Sequence, residues 1–128
     1  MAINLLYSEI TGPVIGAAKE VHKIMGSGFL ESVYEEAFAI ELDLRNISYK
    51  RQHSIDVFYK EKLAKHFVCD FIIENVVLVE LKALSQLIDI KKAQILNYLK
   101  ATKLPVGLLL NFGAKSLEYK RFANTKSI

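Results

Sequence analysis

The spacing of apolar residues changes along the chain from a helical period to an alternating one. Between residues 11 and 45 the apolar positions recur at helical spacing, and Gly26-Ser27-Gly28 interrupts them, which predicts two amphipathic helices. We expect Thr11 to cap the first helix, with Pro13 in its first turn, and Asn46 to end the second, which spans about residues 30–45. The residues expected to face inward are Val14, Ala17, Ala18, Val21, Ile24 and Met25, followed by Leu30, Val33, Ala37, Phe38 and Leu44.

The remainder of the chain predicts a sheet and one further helix. From residue 47 onward, short apolar runs are separated by polar clusters, and residues 60–62 mark a turn. The order is two helices, three or four strands, a helix and two strands, written ααββββαββ with the larger count. This order predicts an α/β fold in which helices flank a central mixed sheet. The predicted strands cover about residues 47–52, 55–59, both halves of a hairpin at 64–81, 106–111 and 117–122. The predicted helix covers about residues 88–102. Its inward-facing residues are expected to be Ile88, Ile95, Leu96 and Leu99.

Three ionisable residues interrupt the apolar hairpin at 64–81. Asp70 lies in its first strand, and Glu80 and Lys82 end its second. Strands this apolar are normally buried, where an unpaired charge is costly. A turn centred on Asn75 would place Asp70 directly opposite Glu80, on the same face and with Cβ atoms about 5 Å apart. Lys82 lies two residues further on and shares that face.

Two carboxylates and an ammonium group at one end of a hairpin suit metal-assisted chemistry. Carboxylate oxygens at this separation favour a hard cation, Mg²⁺ or Mn²⁺. Lys82 would orient or activate a water molecule, or stabilise developing negative charge. The alternative is an ordinary salt bridge at the strand end, in which Lys82 pairs with Glu80 or Asp70. The hairpin residues alone leave both interpretations open.

Two further groups of polar residues, both on predicted helices, could extend this site. Gln94 and Tyr98 are four positions apart, so both point to one side of their helix, beside the apolar stripe and near the sheet. Glu31 falls in the first turn of the second helix, and Tyr34 shares its face. Each group also has a plain structural explanation, namely packing at the helix edge for Gln94 and Tyr98 and interaction with the helix dipole for Glu31.

The composition fits one folded domain over residues 1–128 and excludes several kinds of site. Apolar residues make up 52% and charged residues 24% of the chain, and the net charge of +3 gives no strongly basic tail. Cys69 is the single cysteine, which excludes an internal disulfide and any cysteine-rich metal site. The histidines His22, His53 and His66 have no metal-ligand spacing. No segment has the pattern of a leader or the length of a membrane span, so we expect a cytoplasmic protein.

In order along the chain, these motifs resemble a known superfamily. An acid on an early helix, then Asp70, Glu80-x-Lys82 and Gln94-x-x-x-Tyr98 are similar to the PD-(D/E)xK nucleases in their RecB-type arrangement. More narrowly, Gly28-x-x-Glu31-x-x-Tyr34 resembles the signature of the GxxExxY family of small bacterial proteins. Cys69 stands where the superfamily pattern has a proline before the first acid. Other similar stretches are residues 17–23, 31–37, 79–83, 94–99 and 107–113.

The resemblance implies a restriction-endonuclease-like core and metal-dependent hydrolysis of a phosphodiester, with Mg²⁺ or Mn²⁺ as the cofactor. Asp70 and Glu80 would bind the metal, together with the backbone carbonyl of Leu81. Glu31 would complete the metal shell directly or through water. Lys82 would position or activate the attacking water. We therefore expect Asp70, Glu80, Lys82 and Glu31 to be the catalytic residues.

The resemblance also implies nucleic acid as the substrate, with DNA favoured over RNA, and no membrane partner. The residues expected to orient the site or contact the strand are Gln94, Tyr98 and Tyr34. A homodimer or a larger partner complex could complete a substrate groove, because the chain is near the minimal size for the fold. Two alternatives stay open. One is a non-catalytic module that binds nucleic acid or a partner and retains the nuclease fold. The other is a structural interaction protein whose charges form a closed salt-bridge cluster.

Overall fold

A five-stranded mixed sheet lies between two helical layers. The structure is a computed structural model that describes residues 7–87 and 89–124, apart from the side chain of Ile90. None of the helices in these two ranges is long and apolar enough to cross a membrane. The helices are α1 (Ser8–Met25), α2 (Glu31–Leu44) and α3 (Asp89–Thr102), and the strands are β1 (Tyr49–Tyr59), β2 (Lys62–Ile73), β3 (Val77–Lys82), β4 (Val106–Asn111) and β5 (Glu118–Ala123).

The strands follow one another across the sheet in chain order, β1-β2-β3-β4-β5. Only β3 and β4 are parallel, and α3 connects them, since parallel neighbours need a crossover that reverses the chain. One apolar core lies between the sheet and α1 and α2, and a second lies between the sheet and α3. The predicted α/β fold, a central mixed sheet flanked by helices, is therefore confirmed and is consistent with a restriction-endonuclease-like core.

The predicted register of the central hairpin is also confirmed. Glu74 and Asn75 both have positive φ, at 55° and 59°, and form the turn between β2 and β3. Both residue types tolerate this region less well than glycine, but asparagine adopts it more readily than most. The backbone pairs run Ile73↔Val77, Ile72↔Leu78 and Phe71↔Val79. One step further in the same register, Asp70 lies level with Glu80.

The described residues form three strands before α3, the smaller of the two predicted counts. The two strands predicted at about 47–52 and 55–59 form one continuous strand, β1, with His53 and Ser54 inside it. The backbone pairs Arg51↔Phe71 and His53↔Cys69 continue across the predicted gap. Both polar residues fit there because Ser54 is exposed and His53 is only half-buried. The element order is therefore ααβββαββ.

Several predicted helix details are wrong for local reasons. Helix α1 begins at Ser8, so Thr11 is a buried interior residue rather than a cap, and Pro13 lies inside the helix. The carbonyl of Tyr7 already accepts hydrogen bonds from the first turn, which starts the helix earlier than the proline suggested. Predicted inward-facing residues that are instead exposed are Ile24, Leu30, Leu44 and Leu96. The first three lie at helix ends, and Ile88 falls outside the described residues.

Gly113 offers a test of how tightly the loop after β3 is held. A Cβ atom at Gly113 would lie 2.4 Å from the carbonyl carbon of Ala83 and from the amide nitrogen of Leu84. Because these are backbone atoms, they cannot rotate away as a side chain would. We expect Gly113→Ala to lower the free energy of unfolding by about 1–3 kcal/mol, the usual effect of overpacking, measured by urea denaturation.

The matched control is Gly12→Ala on α1. A Cβ atom at Gly12 has nothing within 4 Å, and alanine favours a helix over glycine by about 1 kcal/mol. This variant should be as stable as the original chain or more stable. Equal denaturation midpoints for the two variants would contradict the tight packing at Gly113.

Candidate functional site

Asp70 and Glu80 lie side by side where β2 passes the end of β3. Strand β3 is almost wholly buried, and Glu80 is 4% exposed in the middle of its apolar neighbours. One Asp70 carboxylate oxygen, Oδ2, accepts a hydrogen bond of 2.8 Å from the backbone N–H of Leu81. The backbone pairing between β2 and β3 ends one step earlier, at Phe71↔Val79. The Asp70 side chain thus accepts from the Leu81 N–H, a donor that would otherwise extend the sheet. This hydrogen bond fixes the orientation of the Asp70 carboxylate.

Glu80 is a buried acid with an unused oxygen. Its burial, followed by the charge of Asp70 and a hydrogen bond with the Asp70 side chain, raises the pKa of Glu80 to about 9, while Lys82 opposes the shift. Its Oε1 atom is buried and has no hydrogen-bond partner among the described residues. A buried acceptor left in this state is costly. The pair therefore favours a bound proton or a bound cation.

Lys82 lies close enough to act on the acids but does not neutralise them by contact. It is half-buried at the end of β3, and its charge lowers the pKa of both Glu80 and Glu31. Within the described ranges, no ion pair of 4 Å or less joins Lys82 to Asp70 or Glu80. The closed salt-bridge cluster considered from the sequence is therefore not the arrangement that forms.

Glu31 is a neighbour of the pair and not part of a ready-made ligand set. It is the first residue of α2, and partial burial of its carboxyl raises its pKa, although the residue as a whole is exposed. Asp70 raises that pKa further, whereas Lys82 and Lys91 lower it. Nowhere in the described part of the chain are three His, Cys, Asp or Glu residues grouped so that they could hold a metal ion. The structure thus brings Asp70 and Glu80 together and leaves Glu31 at the margin.

Gln94 and Tyr98 point in the same direction from α3, as predicted. The Gln94 side-chain amide donates to the Tyr98 hydroxyl over 3.2 Å, and its own Oε1 is buried without a partner among the described residues. Tyr98 is 5% exposed, and its burial, followed by the charges of Glu80, Cys69 and Asp70, raises its pKa. The Tyr98 side chain packs in the core between the sheet and α3 together with Cys69 and Leu78, and the charges of both acids act on it.

Comparison with known families agrees with this geometry. A model of the PD-(D/E)XK nuclease superfamily matches residues 8–122, which include all of the acids, the lysine and the Gln94/Tyr98 pair. The chain belongs to the PD-(D/E)XK nuclease superfamily. No curated protein and no solved structure matches the chain significantly. Members of the superfamily are typically nucleases and generally use divalent metals.

Tyr34 holds the loop that precedes α2. Its side chain is fully buried, and its hydroxyl donates to the carbonyl of Gly26 and accepts from the N–H of Phe29 over 3.2 Å. The ring stacks on Phe112, with centroids 4.9 Å apart. Gly28, with φ of 111°, adopts a backbone conformation that suits glycine. Since its hydroxyl is engaged by this loop, Tyr34 fixes where α2 begins.

A second layer of side chains around Asp70 was not predicted from the sequence. Gln52 donates from its amide nitrogen to Glu35 Oε1 over 2.8 Å and to Asp70 Oδ1 over 3.4 Å. Arg51 contacts Glu35 over 2.6 Å and Glu36 over 2.7 Å. The only signal in the sequence was two adjacent polar residues inside a strand. The positive φ of Gln52, 48°, has no sequence marker.

The loop after Lys82 is held by Asn111, which is fully buried. Its Oδ1 accepts from the N–H of Leu84 over 2.8 Å, and its Nδ2 donates to the Leu84 carbonyl over 2.9 Å and to Glu118 over 2.8 Å. The carbonyl of Lys82 itself accepts from the N–H of Phe112 over 2.8 Å. Strand β4 therefore fixes the backbone that carries Lys82.

The remaining candidates have the structural roles expected for them. Cys69 is buried, and that burial, helped by Glu80 and Asp70, raises the pKa of its thiol to about 12, so it is no nucleophile at neutral pH. His22 is buried and lies 2.9 Å from the carbonyl of Ala114. His66 pairs with Asp56 over 2.6 Å at the surface.

The raised pKa of Glu80 predicts how stability depends on pH. Between its ordinary value of 4.5 and its folded value of about 9, the folded state holds a proton that the unfolded state has released. Without divalent cations, the stability should therefore be full below the lower value and fall as pH rises toward the higher one, by at most about 1.4 kcal/mol per pH unit. Urea denaturation with a chelator at several pH values measures this slope.

Glu80→Gln removes the titration and should flatten that slope, so that the variant gains stability relative to the original chain as pH rises. Glu20→Gln, on α1, is the matched control and should leave the slope in place. Parallel pH profiles for Glu80→Gln and the original chain would show that Glu80 is not the group that loses the proton.

Proposed function

We propose that this chain is a nuclease that hydrolyses phosphodiester bonds of nucleic acid with the help of a divalent cation. The observation that carries the proposal is the buried, unpartnered Oε1 of Glu80 beside the carboxylate of Asp70. Two adjacent acids in an apolar setting fit Mg²⁺ or Mn²⁺, because these ions prefer carboxylate oxygens and would compensate the buried charge. We further propose membership of the GxxExxY family, on the basis of Gly28, Glu31 and Tyr34.

In this proposal Asp70 and Glu80 hold the cation, with the backbone carbonyl of Leu81 as a third ligand. Glu31 contributes directly or through a water molecule, as its position at the start of α2 and its electrostatic influence from Asp70 suggest. When bound, the cation would supply a lowered pKa for a coordinated water and a positive charge for the scissile phosphate. Asp70 arrives at this task already oriented, because Leu81 and Gln52 donate to its two oxygens.

Lys82 is assigned the role of orienting the attacking water or stabilising negative charge as it develops. Its position supports this role, since the ammonium group influences Glu80 and Glu31 without a contact ion pair to Asp70 or Glu80 in the described ranges. A lysine already neutralised by an acid would have less to offer a phosphate. The ties from Asn111 and Phe112 to the backbone around Lys82 hold it in place.

Gln94 and Tyr98 are proposed to contact the nucleic-acid strand or to orient the acids. The support is the free, buried amide oxygen of Gln94 and the nearness of Tyr98 to Glu80. We propose DNA in preference to RNA as the substrate, a cytoplasmic location, and a single nuclease domain over residues 1–128. A homodimer or a larger partner would complete the substrate groove.

The second candidate function is a non-catalytic module that binds nucleic acid or a partner and keeps the nuclease fold. It is favoured by one observation, namely that Glu31 does not join Asp70 and Glu80 in a set of three ligands within the described residues. This candidate predicts weak Mg²⁺ affinity and no strand scission with any divalent cation.

Cation binding is the first test. Excess Mg²⁺ or Mn²⁺ should raise the melting temperature of the original chain by several degrees, because a ligand at about 100 times its Kd stabilises by about 2.7 kcal/mol. Asp70→Asn and Glu80→Gln should each remove most of this shift. Glu74→Gln, in the turn of the same hairpin, is the control and should keep it. A shift of equal size in all four proteins would place the cation elsewhere.

Cleavage is the second test. Lys82→Ala should lose nearly all strand scission on a panel of labelled DNA and RNA substrates with Mg²⁺ or Mn²⁺, since charge stabilisation of this kind is worth about a hundredfold or more in rate. The variant should keep the original fold and the cation-induced melting shift. Lys120→Ala, on β5, is the matched control for removing one lysine. Undiminished cleavage by Lys82→Ala would exclude the assigned role or reveal a contaminating nuclease.

A further inference from the structure

We propose that the tip of the β1–β2 hairpin is an arm that binds a single-stranded segment of nucleic acid next to the catalytic acids. The arm comprises residues 57–65, namely the end of β1, the turn and the start of β2. This inference takes its substrate class from the proposed function and adds a binding surface that lies outside the acidic site.

The arm projects from the sheet at the edge where the acids lie. Strand β2 pairs with β3 only from Phe71 to Ile73, whereas it pairs with β1 all the way to Tyr59↔Lys62. Because β2 and β3 are antiparallel, the unpaired length of β2 extends beyond the end of β3 that carries Glu80. Lys62 is eight residues from Asp70 in the same strand, a reach of about 26 Å. A strand that crosses the acids could therefore follow the arm.

The arm ends in a tight turn that exposes every residue around it. Lys60 and Glu61 both have positive φ, 48° and 68°, as in the two-residue turns that suit a twisted hairpin. Residues 58–66 are all exposed. The covered part of the hairpin ends near Ile55 and Phe67, which pack against the core that contains α3. Beyond these residues the two strands have solvent on both faces.

Large apolar side chains occupy this exposed tip. Phe58 is 62% exposed, Tyr59 67% and Leu63 57%. Phe58 lies opposite Leu63 on one face, and Tyr59 lies opposite Lys62 on the other. Exposed aromatic groups on a projecting hairpin stabilise no core, so an intermolecular role accounts for them better than packing does.

The charges of the arm favour a nucleic-acid strand as the occupant. Lys60, Lys62 and Lys65 oppose a single acid, Glu61, and at the base of the arm Asp56 pairs with His66. The Lys60 ammonium lies 5.4 Å from the centroid of the Tyr59 ring, so a positive charge stands directly beside an aromatic face.

Lysines that lie beside exposed aromatic rings suit unpaired bases, which stack on the rings while the phosphates contact the ammonium groups. A duplex hides the faces of its bases and would leave the aromatic residues unused. A second copy of this chain is disfavoured as the occupant, because it would bring the three lysines of each arm toward one another.

Fluorescence anisotropy tests the binding of nucleic acid to the arm, and a chelator prevents metal-dependent cleavage during the measurement. The probes are labelled single-stranded DNA, single-stranded RNA of the same sequence, and the DNA duplex, each across a salt series. Phe58→Thr/Tyr59→Thr should weaken binding of the single strands about tenfold by loss of stacking, since threonine preserves the strand. Lys60→Gln/Lys62→Gln/Lys65→Gln should lower the salt dependence of log Kd by about two.

The matched control is Lys23→Gln/Lys115→Gln/Lys120→Gln, which removes the same charge from the end of α1, the loop after β4 and strand β5. It should bind single strands within about twofold of the original chain. The inference is overturned if both arm variants bind like this control, if the control loses as much affinity as they do, or if light scattering shows that the arm variants only dissociate a dimer.

The two proposals can fail separately. Single-strand binding that depends on the arm, in a protein that cuts nothing with any cation, would support the arm and refute the nuclease. Cleavage that requires Lys82, in a protein whose arm variants bind and cut like the original chain, would support the nuclease and refute the arm.

Discussion

The juxtaposition of two carboxyl groups in an apolar layer is the constraint on which the site end of this protein depends. Water cannot compensate Glu80, because the sheet and α3 cover it, and Asp70 repels it at close range. The fold tolerates this arrangement by orienting Asp70 through donors from Leu81 and Gln52, while one buried oxygen of Glu80 has no hydrogen-bond partner among the described residues. One acid is thus held in a fixed orientation, and burial raises the pKa of the other to about 9, so that it holds a proton that a cation can displace. Such strained electrostatics is typical of functional sites.

Contacts elsewhere in the structure fix the backbone segments that surround Asp70 and Glu80. Strand β4 fixes the loop after Lys82 through Asn111, and the loop before α2 is fixed through Tyr34. Both ties converge on one strand end, because Phe112, next to Asn111, stacks on Tyr34. The beginning of α2 and the end of β3 are therefore positioned by the same short segment, although they are far apart in the chain.

Local patterns in the sequence predicted the parts of the site that depend on period and turn geometry. Asn75 located the hairpin turn, and strand alternation then set Asp70 level with Glu80, while the four-residue spacing of Gln94 and Tyr98 fixed their common direction. The remainder depends on tertiary contacts that leave no pattern. Gln52 has a left-handed backbone, and its side chain connects Glu35 on α2 to Asp70 on β2; neither feature has a marker in the sequence. Likewise, the adjacent polar residues His53 and Ser54 lie inside a continuous strand, which residue type alone cannot distinguish from a turn.

The conformation of Gln52 has a consequence for the association of whole molecules. Strand β1 is an edge strand of eleven residues, and a straight edge of that length presents free backbone groups on which another chain could add a strand. A residue with φ of 48° in its interior breaks the regular row of donors and acceptors. Gln52 therefore has two effects. Its side chain donates to the Asp70 carboxylate, and its backbone interrupts the free edge of β1, on which another chain could otherwise add a strand.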